Sequence, residues 1–442
     1  MSHAKHSGFE WVGEIPNGWE MGRISHRFKL TLGKMVEPDA GFSDRAQYPY
    51  LCAANLKWQK VDTSIQKVMH FTSQERRHYE VHEGDLLITE GGSIGTSCIY
   101  NGEFGPVCYM QNSVIRARGK NLAANKFLAY WLEFVCNSGY LDVLCNKATI
   151  AHYTKDKVGK TPFPLMREHE YEVIVDAIDG TCTPISNTIE ALEGGISILE
   201  RYRASVIHEA VTKGLDPAIP TKPSGVDWIG SIPSSWVLEK LNNVAELYGR
   251  IGWQGLTADE YQDEGPWLVT GTDFKDGKVD WNTCVHISEK RWEEAYQIKL
   301  QSSDLLITKD GTVGKLAIVE NQPGKASLNS GIMRVVPRSE SDYSTKYLYY
   351  VLQTDVFKEW FKNINAGAST IQHLFQKDFK HFVFPKPPLQ KQIAIANYLD
   401  NKCATIDAIL DTKRNQIDIL KRRRQSLIYE YVTGKRRVRQ EL

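Results

Sequence analysis

The sequence repeats at half its length. WVGEIPNGW, Trp11 to Trp19, returns as WIGSIPSSW, Trp228 to Trp236, at an offset of 217. PYLCAANLKWQKVD from Pro49 answers to PWLVTGTDFKDGKVD from Pro266, and GDLLITEGGSIG from Gly84 answers to SDLLITKDGTVG from Ser303. KFLAYWL at Lys126 matches KYLYYVL at Lys346, and Thr149-Ile-Ala-His152 matches Thr370-Ile-Gln-His373. RASVIHEAVTKG from Arg203 pairs with RQSLIYEYVTGK from Arg424. Six blocks in unbroken order make the chain a tandem duplication, which restricts the fold more firmly than any short motif.

Each copy has one internal plan. In the first, strand-like runs (Asp85 to Thr89, Val107 to Ala117) alternate with turns rich in Gly, Asn and Asp and with a helical segment from Asn121 to about Val135. Pro162 and Pro164 close this mixed α/β globule, a long helical segment follows, and the pattern restarts after Pro217, Pro220 and Pro223. The expected organisation is a globule over 1–165, a helical spacer over 166–214, a second globule over 215–389 and a second spacer over 390–442. At 442 residues the chain is long enough for two such cores. No apolar run approaches the roughly 20 residues of a membrane helix. The opening MSHAKHSGFEW has no signal-peptide character, and the eight cysteines show no CxxC pair, so a cytoplasmic chain with reduced thiols and no membrane partner is expected.

The helical segments carry heptad stripes. Ile185, Ile189, Leu192, Ile196, Leu199, Arg203, Val206 and Ala210 step by four and three, and Ile406, Leu410, Lys413, Ile417, Leu420, Arg424, Leu427 and Tyr431 repeat the pattern. Gly180 and Pro184 predict a break, with a shorter helix from about Arg167 to Asp179 before the first stripe. Residues 166–214 hold 4 basic and 9 acidic side chains, and residues 390–442 hold 12 basic and 6 acidic. Opposite charge favours pairing of the stripes with each other over self-pairing. Antiparallel pairing is expected, because it places the globules at opposite ends of a helical rod and spares residues 215–235 from retracing it. Two globules so held suit successive major-groove faces of duplex DNA, which recur about every 34 Å. The geometry alone equally suits a scaffold that spaces two protein partners.

A search for catalysis comes back nearly empty. Gly159-Lys-Thr161 resembles the end of a phosphate loop, but Thr154 stands where its first glycine belongs. Gly91, Gly92 and Gly95, like Gly311 and Gly314, lack the spacing of a nucleotide loop and read as tight turns presenting Ser93 and Thr312. Asp273-Phe-Lys275, Asp276-Gly-Lys278 and Asp411-Thr-Lys413 satisfy a loose nuclease pattern, but two lie in a turn signal and the third on a heptad stripe. No His-Glu-x-x-His and no Gly-x-Ser-x-Gly occurs.

With the repeats aligned, the chain resembles the specificity subunit of a Type I restriction-modification enzyme. The residues that carry this are WVGEIPNGW, WIGSIPSSW, YLCAANLKW from Tyr50, GDLLITEGGSIG followed by Gln111 to Arg116, SDLLITKDGTVG followed by Asn329-Ser-Gly331, and FPKPPLQKQIAIANYLD from Phe384. The resemblance spans nearly the whole chain, twice over. One departure is PFPLMREHEYEVI in the first copy, where the second has PKPPLQKQIAIANYL.

The resemblance implies two target-recognition domains that each read one half of a bipartite double-stranded DNA target, with an antiparallel helical spacer setting the unread gap. It implies two modification (methyltransferase) subunits using S-adenosylmethionine and two restriction subunits using ATP and magnesium as partners. The chain itself would bind no cofactor or metal and catalyse nothing. It fixes no base-reading positions, so these are chosen by side-chain chemistry: amides for adenine, basic groups for guanine, hydroxyls for phosphate or base edges. The candidates are Lys34, Asn55, Lys57, Ser93, Thr149 and His152 in the first copy. In the second they are Arg250, Gln254, Thr272, Lys275, Lys309, Thr312, Thr370 and His373. Trp11, Trp19, Trp228 and Trp236 read as packing anchors. The net charge of +1 gives no overall pull toward DNA, but it sums segments of opposite sign and suits a subunit that binds tightly only with its partners.

Overall fold

The computed structural model describes residues 4–36, 46–145, 151–250, 256–339, 343–366 and 372–438. The chain divides into two compact units, Met1–Glu193 with Arg414–Leu442, and Gly194–Lys413. Both are mixed α/β.

In the first unit, β1 (Lys29–Leu32), β2 (Ala46–Leu51), β3 (Leu86–Thr89), β4 (Ser97–Ile99), β5 (Cys108–Met110) and β6 (Val114–Arg118) build two sheets. One runs β4-β3-β6-β1, all antiparallel. In the other, β2 and β5 pair in parallel. The strand-like run predicted over 107–117 is therefore two strands, parted by a turn in which Val114 N–H meets Gln111 O at 2.8 Å. Leu86, Leu87 and Ile88 are buried on both faces of β3, which explains why the run reads as continuously apolar rather than alternating. Two helices follow the strands' plan: α1 (Ser73–Tyr79), and α2 (Leu122–Asn137), whose Asn121 side chain caps it by accepting from Ala124 N–H. Phe127 and Trp131 of α2 pack edge-on against Phe163. Trp11 stacks on Tyr140, and Trp19 is buried, so the tryptophans of the opening motif act as anchors.

The second unit repeats the plan with β7 (Ala245–Gly249), β8 (Gln262–Val269), β9 (Leu305–Thr308), β10 (Leu316–Ile318), β11 (Ala326–Leu328) and β12 (Ile332–Pro337). Its larger sheet contains the order β7-β12-β9-β10, and β8 pairs with β11 in parallel. Its helices include α3 (Glu289–Glu293) and α4 (Thr345–Gln353). A buried aspartate opens the central strand of each unit. Asp85 accepts two 2.6 Å hydrogen bonds from Arg118, and Asp304 meets Arg334 at 2.5 Å. The arginines are not equivalent: Arg334 lies opposite Leu306 as Arg116 lies opposite Leu87. The pair survives while its arginine moves two places along the strand, which keeps the same alternating side of the pleat.

Two long helices, Glu168–Lys213 and Leu389–Val432, each contribute to both units. The predicted break at Gly180 and Pro184 is absent, and Pro184 lies inside the first long helix. Proline removes one N–H and crowds the carbonyl four residues back, here that of Gly180. The helix continues because Tyr171, Ile174, Val175, Ile178 and Cys182 are buried in the first unit's core, so the segment before the proline is already fixed by packing. The Thr181 and Thr188 hydroxyls also donate to Ala177 O and Pro184 O at 2.8 Å.

Within each unit the two helices run antiparallel. In the first, Arg424 meets Ser186 and Lys421 meets Glu193. Ile189 and Ile417 are buried there, with Ile185, Leu192, Leu420 and Leu427 half-buried. In the second, Arg203 meets Asp407, and Lys413 lies beside Gly195. Ile406 and Leu410 are buried there, with Ile196, Leu199 and Val206 half-buried. Among the described residues no helix is long and apolar enough to cross a membrane.

Candidate nucleic-acid interface

One edge of each unit gathers the ends of its strands. In the first, the chain leaves β1 through Gly33, where a Cβ would lie 2.2 Å from Gln111 O, so only glycine lets the strand approach the Gln111–Ser113 turn. Asn112 N–H then donates to Lys34 O, Glu90 N–H to Ser113 O and Tyr153 N–H to Glu90 O, at 2.8–3.0 Å. These bonds align Lys34, Asn112, Ser113, Glu90 and the segment of His152 along one edge. In the second unit Lys309 N–H donates to Gly331 O at 2.8 Å and Leu374 N–H to Lys309 O at 2.9 Å, placing Lys309 and His373 likewise.

The tip of each edge is a tight turn after the central strand. Thr89 and Thr96 bracket one, Thr308 and Lys315 the other, each through an N–H to O bond of 2.9 Å. The strand-end threonine hydroxyl donates to Ser93 O in the first and to Thr312 O in the second. Gly92 and Gly95, and Gly311 and Gly314, take positive φ of +68° to +88°, the backbone such turns require. Ser93 and Thr312 are exposed at the tips.

The titratable groups at the two tips differ. Glu90 lies near His152; burial raises its carboxyl above the usual range, and the histidine opposes the shift. In the second unit the carboxylate comes one position later, from Asp310. Its Oδ1 meets His373 Nδ1 at 2.7 Å and its Oδ2 meets Lys309 Nζ at 2.6 Å. Burial works against ionisation of Asp310, but these two bonds outweigh it and hold the carboxyl below its ordinary range. Beside it opens a cavity of about 500 Å³ whose wall includes Tyr261, Thr270, Thr272, Thr283, Thr312 and Lys315.

Several sequence candidates have other duties. Asn55 is fully buried and closes a turn: its Oδ1 accepts from Cys52 N–H, and its Nδ2 donates to Asp62 O and Ile65 O. Its structural counterpart is Asp273, which accepts from Thr270 N–H at 2.7 Å. Lys34 is 4% exposed and spends its ammonium on Glu75 and His70 O, and Arg250 is 7% exposed and donates to Leu328 O and Ser327. These three are corrected from DNA contacts to internal supports, since a buried donor already paired has nothing to offer a base. Lys57 and Lys275 are exposed on small hairpins. Lys60 of the first hairpin lies 3.9 Å from Glu190 on the long helix, and Lys278 of the second pairs with Glu320. Thr149, Gln254 and Thr370 lie outside the described residues. Thus Ser93 and His152 share the first edge, and Thr272, Lys309, Thr312 and His373 the second.

Helix α1 carries none of the sequence candidates yet borders the edge. Ser73, Gln74, Arg77 and His78 line an open groove on it, and the Lys34–Glu75 ion pair of 2.6 Å ties this helix to the edge. The signal was legible: Thr72 and Glu75 form a capping box, the pattern that marks a helix start. In the second unit α3 presents Glu289, Lys290 and Glu293 instead. Among the described residues no group of three or more His, Cys, Asp or Glu side chains could hold a metal ion.

The family model for the Type I restriction modification DNA specificity domain matches the chain twice, over residues 16–192 and 233–418. The chain is 23% identical over 430 residues to the Type I restriction enzyme MjaVIII specificity subunit of Methanocaldococcus jannaschii, covering 96% of this chain and 94% of that protein. It is 22% identical over 435 residues to the putative type I restriction enzyme MjaX specificity subunit of the same organism, covering 97% and 96%. A solved structure described as the structural basis underlying complex assembly and conformational transition of the type I R-M system superposes with a TM-score of 0.64, covering 96% of this chain and 99% of that one. At 17% identity this last likeness concerns the fold.

Proposed function

Because the chain belongs to the Type I restriction-modification DNA specificity family, we propose that its two recognition domains, 1–165 and 215–389, each read one half of a bipartite duplex DNA target. The helical spacers, 166–214 and 390–442, set the gap between the halves and dock two modification subunits. Two restriction subunits complete the assembly. S-adenosylmethionine, ATP and magnesium belong to those partners, and the chain contributes recognition rather than catalysis.

The observation that carries this reading is the repeated edge. The same backbone hydrogen bonds hold a strand-end turn in both units, while the side chains on it differ: Glu90 against Lys309, Gly91 against Asp310. A shared frame with unlike side chains suits two domains that dock on DNA alike and read different bases. Ser93 and Thr312, recurring at both tips, serve as phosphate contacts. Docking is supported by Ile198 and Tyr202 on the first long helix and Ile409 and Ile419 on the second, large apolar side chains from 42% to 64% exposed on otherwise polar outer faces.

Selection from random duplexes by the chain assembled with its modification subunits tests the reading. Two short motifs at fixed separation are the expected result, and unselective binding overturns it.

A further inference from the structure

We propose that Asp310 is a specificity-determining residue that selects cytosine at one position of the half-site read by the second domain. The inference rests on that domain being a DNA reader and says which chemistry its cavity recognises.

Asp310 follows β9 at the tip of the edge, and both of its carboxylate oxygens are held, Oδ1 by His373 and Oδ2 by Lys309. Each oxygen accepts one bond and keeps a second acceptor site. The side chain is 37% exposed and stands on the wall of the cavity, where a base edge can reach it. An oriented anionic acceptor that pays no further ordering cost is suited to discriminate donors from acceptors on a base edge.

The four bases answer such a group differently in the major groove. Guanine presents two acceptors and thymine one acceptor with a methyl group, so both repel or ignore a carboxylate. Adenine presents a donor beside an acceptor, which places a lone pair against the anion. Cytosine presents only its N4 amine and satisfies the carboxylate without conflict. The neighbouring hydroxyls of Thr272 and Thr312 and the ammonium of Lys315 supply contacts for the flanking backbone.

The first domain lacks this acceptor. Gly91 occupies the place of Asp310, and the matching turn bonds of Asn55 and Asp273 set Ala53 and Ala54 where the second domain has Gly271 and Thr272. Its own carboxylate, Glu90, stems from the strand end, at the position of Lys309. The preference is therefore confined to one half of the target.

The test compares base preferences selected from random duplexes by assemblies carrying the unaltered chain, Asp310→Asn or Asp310→Gly. Asparagine keeps the shape but loses the charge and adds a donor, and glycine restores the first domain's residue. Both should lower the preference for cytosine by about tenfold or more at one position of the second half-site. Asparagine should favour adenine there, while the first half-site and the gap stay unchanged. An unaltered preference in both variants overturns the proposal, as does a loss of affinity with no change in preference, which would make Asp310 a support for the turn. If the unaltered chain selects no bipartite target, the DNA-reading function itself fails and this proposal falls with it.

Discussion

Arg424 on the second long helix grips Glu133 on α2, donating from Nη1 and, at 3.1 Å, from Nη2, while its Nε donates to the Ser186 hydroxyl. In the second unit Arg203, its repeat counterpart, meets Asp407 at 2.9 Å and Gln353 at 3.4 Å. Gln353 stands for Glu133 and Asp407 for Ser186. Each unit thus has one guanidinium, one carboxylate and one neutral group, but the carboxylate has moved from the globule's helix to the long helix. The arginine within each heptad stripe, Arg203 or Arg424, is the link between stripe and globule.

The two pairs should differ in energetic weight. Arg424 and Glu133 are 13% and 9% exposed, whereas Arg203 and Asp407 are 26% and 48% exposed. Glu133→Leu strands a buried guanidinium and is expected to cost about 3 kcal/mol or more. Asp407→Leu leaves its arginine within reach of water and should cost about 1 kcal/mol or less. Urea unfolding of each variant checks this, and adding Arg424→Met to Glu133→Leu should recover much of the loss. Equal costs for the two single variants would contradict the burial argument.

The glycine that ends each long helix fits under a tryptophan of an opening motif. Gly434 has φ +72° and a Cβ there would lie 2.4 Å from Pro16 Cγ; Gly214 has φ +80° and its Cβ would lie 3.2 Å from Trp236. Both substitutions with alanine strain the backbone, by about 1 kcal/mol or more, but only Gly434→Ala also collides with a rigid ring. Amide exchange should accelerate in residues 11–20 of Gly434→Ala more than in residues 228–237 of Gly214→Ala.

His208 makes the second unit sensitive to mild acid. Burial disfavours its imidazolium; the Asp355 carboxylate opposes this, Lys213 adds to it and Glu209 opposes it, and the net result is a pKa below the ordinary 6.5. The unfolded chain therefore binds the proton first. The full contribution of the neutral ring is present above about pH 6.5 and declines as the pH falls toward the lowered folded value. Thermal midpoints taken between about pH 7 and pH 5 should fall less steeply in His208→Gln than in the unaltered chain. Parallel pH curves would assign the dependence to other groups.

Legibility in the sequence followed the range of the interaction. The duplication, the capped helix α2 and the heptad stripes are written in local spacing, and the family resemblance rests on the same blocks. The duty of Asn55 is not legible locally, because an amide in a turn looks the same whether it faces a base or closes its own loop. Only the bonds to Cys52, Asp62 and Ile65 distinguish the two. Pro184 reads as a breaker because its local cost is visible in the letters, while the burial of Tyr171 and Ile178 that offsets it comes from distant segments. Asp310 lay in a motif already singled out, but its partner His373 is 63 residues away, beyond what spacing reveals.

The positions at which the two compact units part suggest how to test the spacer as a ruler. The division falls after Glu193 on the first long helix and after Lys413 on the second. Seven residues inserted at both points add two helical turns, preserve the heptad stripes and leave each unit's own contacts whole. The added length is about 10 Å, close to three base pairs at about 3.4 Å each. Selection from random duplexes should return both half-sites unchanged with a gap longer by about three base pairs. Insertion into one helix alone shifts the stripes by a heptad against each other and should weaken assembly instead. Altered half-sites, or an unaltered gap with the double insertion, would remove the spacer from its proposed role.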